Sequence, residues 1–270
     1  MSTPDLIEPF NRDFLHHPLG HDGEVPFVLR HGELIACFHG LRLHTRLRSL
    51  LARDGGLLGH VADTEVFSAG GQPLSAWTPY ASVLDNSAIT HLDRLIRTLH
   101  VLNALSALDG RPLWLGIHPL HVRAVPDAHG TVFGSILRRC GLRPSQVVLE
   151  FTDTERLGRA HLSKAIAGFR EHGYGIAFGV RGDDDAQLDA LLALRPDAVR
   201  IAQGALLAAT LSSLDRAELA QRIARIHDAG ALALLRGVGD AAQRALALEL
   251  GADGWQAAEA ATTPSQERSA

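Results

Sequence analysis

The chain is short of several residue types at once. Lys164 is the single lysine, cysteine occurs twice, and aromatics make up 5% of 270 residues. Two cysteines, Cys37 and Cys140, are too few for a disulfide framework or a cysteine-ligated zinc site, so a reducing, cytoplasmic setting is expected. No stretch reaches the roughly 18 uninterrupted apolar residues that cross a bilayer, and the opening residues carry acids, prolines and histidines where a signal peptide would be basic and then apolar. With 26 basic against 30 acidic residues, no global field draws the chain to nucleic acid or to an acidic membrane. No Gly-x-Gly-x-x-Gly loop follows a predicted strand, no serine occupies a Gly-x-Ser-x-Gly elbow, and no His-Glu-x-x-His pair is present. The histidine clusters at His16–His21 and His118–His121 lack both a helical ligand pattern and a cysteine partner, so no metal is expected there.

What is present is a hydrophobic content of 46%, ample for a large core. Short apolar runs (Leu113–Ile117, Val147–Phe151, Ile176–Val180, Ala198–Ile201, Ala231–Leu235) alternate with longer amphipathic ones. That alternation predicts parallel strands joined by helices. Helices are expected over Leu84–Leu105, over a segment carrying Leu157, Leu162, Ile166 and Phe169 and capped by Asp153 or Thr154, over Ala217–Asp228 and over Asp240–Leu250. Residues 38–67 should hold an opening hairpin. The spacing favours a TIM-like (β/α)8 barrel, with a doubly wound sheet as the runner-up. Residues 1–26 read as a flexible leader, 27–261 as the barrel domain and 262–270 as a flexible tail.

In order, VVLEFTDTE (from Val147), GIAFGVRG (from Gly175), AVRIAQG (from Ala198), LALLRGVG (from Leu232) and GADGWQ (from Gly251) resemble the segments ELTE, ALDDFGTG, LKID, AEGVE and QGY of the EAL family, the cyclic di-GMP phosphodiesterases. The interval from Gly179 to Arg200 reproduces the family's distance from the first DDFG aspartate to the KID lysine, with Gly182, Leu188, Leu191 and Asp197 at matching places. Glu150 fits the ELTE glutamate and Gln256 the QGY glutamine. The DDFG aspartates become Gly179 and Val180, the KID lysine and aspartate become Arg200 and Ala202, and the AEGVE glutamates become Arg236 and Gly239. His118 takes the place of an asparagine, and the nearest register of the opening signature puts Val61 over its glutamate, with Glu65 close by.

The resemblance implies a barrel of the EAL type and a chemistry in which two divalent cations activate water, which needs converging carboxylates. With those replaced, the expectation is a degenerate member with no catalytic residue, no metal and no cofactor. Glu150, Arg181, Arg200, Arg236 and Gln256 would form a vestigial mouth. The arginines there either accept an anion or pair with Glu150, Asp153 and loop aspartates. Function would then lie in contact with a regulatory protein partner, in cyclic di-GMP-related control of motility, biofilm or virulence. The alternatives are a metal-independent effector that binds cyclic di-GMP or another nucleotide, and an enzyme of altered chemistry. Cyclic di-GMP binding is expected to be weak or absent, and a homodimer is a further expectation. The proposed contact surface is Asp183 with Leu188, Leu191 and Leu192.

Overall fold

The computed structural model describes residues 3–16, 24–83, 85–125 and 129–258. Its strands are β1 (Phe27–Arg30), β2 (Glu33–Phe38), β3 (Leu41–Ala52), β4 (Leu57–Phe67), β5 (Pro73–Leu74), β6 (Leu113–Ile117), β7 (Val147–Phe151), β8 (Gly175–Val180), β9 (Ala198–Ile201), β10 (Leu232–Val238) and β11 (Gly254–Ala257). Strands β6 to β11 are the aliphatic runs of the sequence, each parallel to the next and each followed or preceded by a helix. Strand β4 joins this set in parallel beside β6, while β3 pairs antiparallel with both β4 and β11. The chain of pairings β3-β11-β10-β9-β8-β7-β6-β4 therefore returns to its start and closes a barrel of eight strands. Closure leaves no free edge within the ring. Strands β1, β2 and β5 extend the β3–β4 hairpin outside it.

The helices are α1 (Thr3–Leu15), α2 (Thr78–Ala81), α3 (Asn86–Ala104), α4 (Pro119–Ala124), α5 (Thr131–Arg139), α6 (Arg159–Glu171), α7 (Asp185–Leu192), α8 (Gln203–Leu211), α9 (Ser213–Asp228) and α10 (Ala241–Glu249). Local signals set their ends. Asp85, Asp184, Ser212 and Asp240 accept N-cap bonds, and Gly173, Gly230 and Gly251 take the left-handed backbone just past α6, α9 and α10. The cap expected at Asp153 or Thr154 does not form. Residues Thr154–Arg156 make a 3-10 turn, and α6 starts only after Gly158, which has no capping side chain.

The leader expected over 1–26 is corrected in its first part. Leu6, Phe10 and Phe14, spaced four apart, put one face of α1 into the core, and Asn11 exchanges two hydrogen bonds with the Phe27 backbone. A four-residue repeat of large apolar groups outweighed the Pro9 and polar residues between them. Residues 17–23 and the tail expected over 262–270 lie outside the described residues.

Two cores result. The larger fills the space between the outer faces of the strands and the helices. The smaller, of Leu50, Val61, Trp114, Ala177, Ala198 and Leu234, plugs the lower part of the barrel's interior. Because side chains on a strand alternate faces, the next inward residue is two positions further along each strand. That second layer holds the polar groups.

Candidate functional site at the barrel mouth

Above Ala198 on β9 comes Arg200, one position beyond Val148 and its outward neighbour on β7 comes Glu150, above Val61 on β4 comes Asp63, and β11 contributes Gln256. Arg200 is 1% exposed. One terminal nitrogen donates to Glu150 Oε2 and the other to Gln256 Oε1. Gln256 Nε2 in turn lies 3.5 Å from Asp63 Oδ2, and that oxygen is 3.2 Å from Arg48 Nε. Five side chains from β3, β4, β7, β9 and β11 thus form one band in which two arginines meet two carboxylates. Its fixed charges cancel. Glu150 Oε1 has no hydrogen-bond partner among the described residues.

Gly179 explains how Glu150 fits. A Cβ at this position would stand 2.8 Å from Glu150 Oε1 and 2.8 Å from Thr152 Cγ2. The space that a side chain at 179 would fill is taken by the glutamate, turned toward Arg200.

Over this band opens a cavity of ≈ 700 Å³, lined by Gly179, Val180, Ala202, Arg181 and Arg236 together with Asp153, Glu155, Asp183, Asp184 and Asp185. Arg181 and Arg236 make no hydrogen bond or ion pair among the described residues. Five carboxylates line the mouth against two guanidinium groups, and the third arginine, Arg200, is buried beneath. The acids are not uniformly solvated. Asp184 caps α7, and Asp185 pairs with Arg222 and Arg225 of α9.

His118, at the asparagine position just past β6, is stacked on Tyr80 at 3.5 Å, with Trp77 at 4.5 Å and Arg156 over the Trp77 ring at 5.2 Å. Burial pushes its pKa down to about 4. It makes a rim packing contact, and its Nδ1 accepts from the Leu120 backbone. Behind it lies a network that the sequence reading missed. Asp93 and Arg97 pair one turn apart on α3, and His121 of α4 lies 3.2 Å from Asp93 Oδ2 and 3.3 Å from Arg97 Nη2. Burial holds His121 down to about 3; for Asp93 burial acts upward, but Arg97 and His121 bring it below its usual range. The pattern Asp93-x-x-x-Arg97 inside an otherwise apolar helix face was the available signal.

The structure brings together Glu150, Arg200 and Gln256 below, and Arg181 and Arg236 above. It does not form the expected contact surface. Leu188, Leu191 and Leu192 are buried in the main core, because α7 turns that face toward the sheet, and Asp189 is engaged by Arg225. Asp183 alone of that set lies at the mouth. The nearest register of the opening signature sets Val61 over its glutamate. Val61 pairs level with Trp114 in the lower core, so Glu65, four residues on, comes level with His118 and forms an ion pair with Arg46 at 2.7 Å.

Among the described residues no three His, Cys, Asp or Glu side chains converge to hold a metal ion. The donor set does not fit a pair of cations: Glu150 Oε2 is held by a guanidinium, and Gly179, Val180 and Ala202 offer no side-chain oxygen.

The chain matches the EAL domain family over residues 38–256. Comparison with curated proteins gives no match. Among solved structures, the Klebsiella pneumoniae protein BlrP1 in complex with calcium and cyclic di-GMP superposes with a TM-score of 0.68 at 20% identity, over 80% of this chain and 54% of that one. This chain thus corresponds to about half of that longer protein. A standalone EAL protein from Vibrio cholerae, bound to cyclic di-GMP, gives 0.68 at 16% identity, over 80% and 89% of the two chains. The EAL domain of FimX from Pseudomonas aeruginosa, also bound to cyclic di-GMP, gives 0.67 at 15% identity, over 80% and 88%. At these identities the superpositions speak to the fold. The family match, with the closed mixed barrel and Glu150 and Gln256 at their strand ends, makes this chain a member of the EAL domain family, the family of the cyclic di-GMP phosphodiesterases.

Proposed function

We propose that this chain is a non-hydrolysing EAL protein, one that acts through contact with a regulatory protein partner in cyclic di-GMP-related signalling. The observation that carries the first half is Arg200, seated between Glu150 and Gln256 at the centre of the barrel. A two-cation mechanism needs carboxylates whose charge is not already satisfied. Here the inward carboxylates Glu150 and Asp63 are each matched by an arginine, and a cation entering this layer would meet the Arg200 guanidinium first. Simple replacement at one position does not reopen the site, since a side chain at 179 meets Glu150. With the inward carboxylates held by arginines, a scaffold role is the reading we favour, and fold alone leaves the partner's identity to experiment.

A second reading rests on Arg181 and Arg236. They are unpaired in the cavity and could receive phosphate oxygens without metal. The five carboxylates beside them oppose a dianionic nucleotide, which is why this reading stands second.

One pair of measurements separates the readings. The chain is incubated with cyclic di-GMP and Mg or Mn at high protein concentration, and titrated with the same nucleotide in a calorimeter with and without metal. The expected result is no linear product and no heat of binding. Turnover that disappears in Glu150→Gln would sink the proposal. Binding without turnover, lost in Arg236→Ala, would transfer it to the effector reading.

A further inference from the structure

Most acids of the mouth keep their charge available. Asp185 is taken by Arg222 and Arg225 of α9. Asp184 accepts from the Gln187 backbone N–H and Glu155 from the Gln187 side-chain amide, neutral donors that cancel no charge. Asp153 and Asp183 make no hydrogen bond or ion pair among the described residues. With Asp185 set aside, Asp153, Glu155, Asp183 and Asp184 share the cavity wall with Arg181 and Arg236 alone, so the wall carries an excess of negative charge.

An independent observation lies in the floor. Glu150 is 5% exposed and its Oε2 is held by Arg200, yet its Oε1 is buried without a hydrogen-bond partner among the described residues. A carboxylate oxygen left in that state is costly, and a charged donor relieves the cost. Gly179 fixes where the oxygen stands. It lines the cavity, and a Cβ on it would lie 2.8 Å from Oε1. The orphan oxygen therefore sits where a side chain of the cavity wall would begin. Arg200 Nε, the other orphan of this triad, is a donor and asks nothing of a cation.

We propose that the mouth, in the protein-binding role read for this chain above, receives a basic segment of the regulatory partner, one arginine of which enters the cavity and donates to Glu150 Oε1. Charge selects the occupant. An acidic segment would meet an excess of like charge, and an apolar one would strip water from the carboxylates without replacing it. Arginine suits the place better than lysine, because a planar guanidinium can give one edge to Oε1 and keep further N–H groups for Asp153 or Asp183. Glu150 would then lie between two guanidinium groups, Arg200 below and the partner's above.

The test titrates the full chain, by fluorescence anisotropy, with short labelled glycine peptides that carry a central Arg-Arg, Lys-Lys or Glu-Glu pair. The arginine peptide should bind, the lysine peptide more weakly and the glutamate peptide not at all, with affinity falling as salt rises. Asp153→Asn and Asp183→Asn should each weaken the arginine peptide about two- to fivefold, asparagine tolerating the left-handed backbone at 153. Glu150→Gln combined with Arg200→Met removes one charge of each sign, so the net charge is kept, and should cost at least about tenfold. Nuclear Overhauser contacts from the peptide's arginine to Thr152 and Gly179 check the seat in the unaltered chain. No binding, a lysine or glutamate peptide bound as tightly, an arginine peptide indifferent to the double variant, or contacts away from Gly179 would overturn the proposal. Failure of the underlying reading looks different: cyclic di-GMP turnover defeats it whatever the peptides do, whereas a chain that neither turns over the nucleotide nor binds the arginine peptide defeats the basic-segment proposal alone.

Discussion

Two buried arginine–carboxylate networks are present in this molecule, and they are built in opposite ways. Asp93 and Arg97 sit one turn apart on α3, so a single helix supplies the pair and His121 closes it from α4. Glu150, Arg200 and Gln256 come from three strands, with 50 and 56 residues between Arg200 and its partners, and they meet only when the barrel is in register. Both arginines are almost wholly buried. The outer pair sits on a helix and not at a strand end, which teaches that a buried guanidinium is a structural habit of this chain. The inner one needs no ligand to account for it.

The largest expected effect comes from breaking either pair from one side. Arg200→Ala strands Glu150 and Arg97→Ala strands Asp93, and each should lower the unfolding free energy by about 3–5 kcal/mol in urea denaturation. Replacing both inner partners, with Glu150→Gln and Arg200→Met, should recover most of that loss. If the double variant is no better than the single one, the inner network is more than a compensated ion pair.

Acid separates the two. The unfolded imidazole of His121 titrates near 6.5 and the folded one near 3, so on acidification the unfolded state takes up the proton first. The histidine's contribution is complete above about pH 6.5, shrinks as the pH falls, and is exhausted near 3. Between pH 7 and 5 the loss should be about 2 kcal/mol, and His121→Gln should flatten that slope. Gln256→Ala should leave the slope unchanged, since the inner network contains no histidine. His100, bonded to Thr45 and Thr64 and held by burial to about 4, adds its own slope over the same range, so only the difference between variants is diagnostic.

Smaller effects sharpen the inner side. Gly179→Asp should cost about 1–3 kcal/mol, because Glu150 and Thr152 must move to admit it, and should yield no hydrolysis of cyclic di-GMP. Hydrolysis in that variant would mean that Glu150 swings clear of Arg200 readily. Least of all, Asp189→Ala, which removes an exposed partner of Arg225, should change stability by under about 1 kcal/mol.

The barrel was legible because its strands are short aliphatic runs at regular intervals, and Glu150, Arg200, Arg236 and Gln256 were singled out by the resemblance of those strand ends to the EAL segments. Two features escaped. The first-half register was hard to fix because β4 is a long hairpin strand whose upper portion has no parallel neighbour to set the count. The contact surface failed because Leu188, Leu191 and Leu192 are spaced as any core-facing helix is, and periodicity marks an apolar face without saying what covers it. The charge at the mouth depends on pairing between separate elements, as Asp185 of α7 with Arg222 and Arg225 of α9 shows. Pairing partners decide charge, and they are distant in sequence.

The antiparallel seam between β3 and β11 has a consequence for how the molecule is made. Ala52 lies opposite Gly254, and Leu50 opposite Gln256, so the first long strand waits for the last one. Until some two hundred residues have been synthesised between them, the barrel is an open sheet with two unsatisfied edges, and contacts so remote in sequence form slowly. Gln256 arrives on that final strand. Until β11 docks, Glu150 is the one of these two partners within Arg200's reach, and the step that seals the wall also supplies the second.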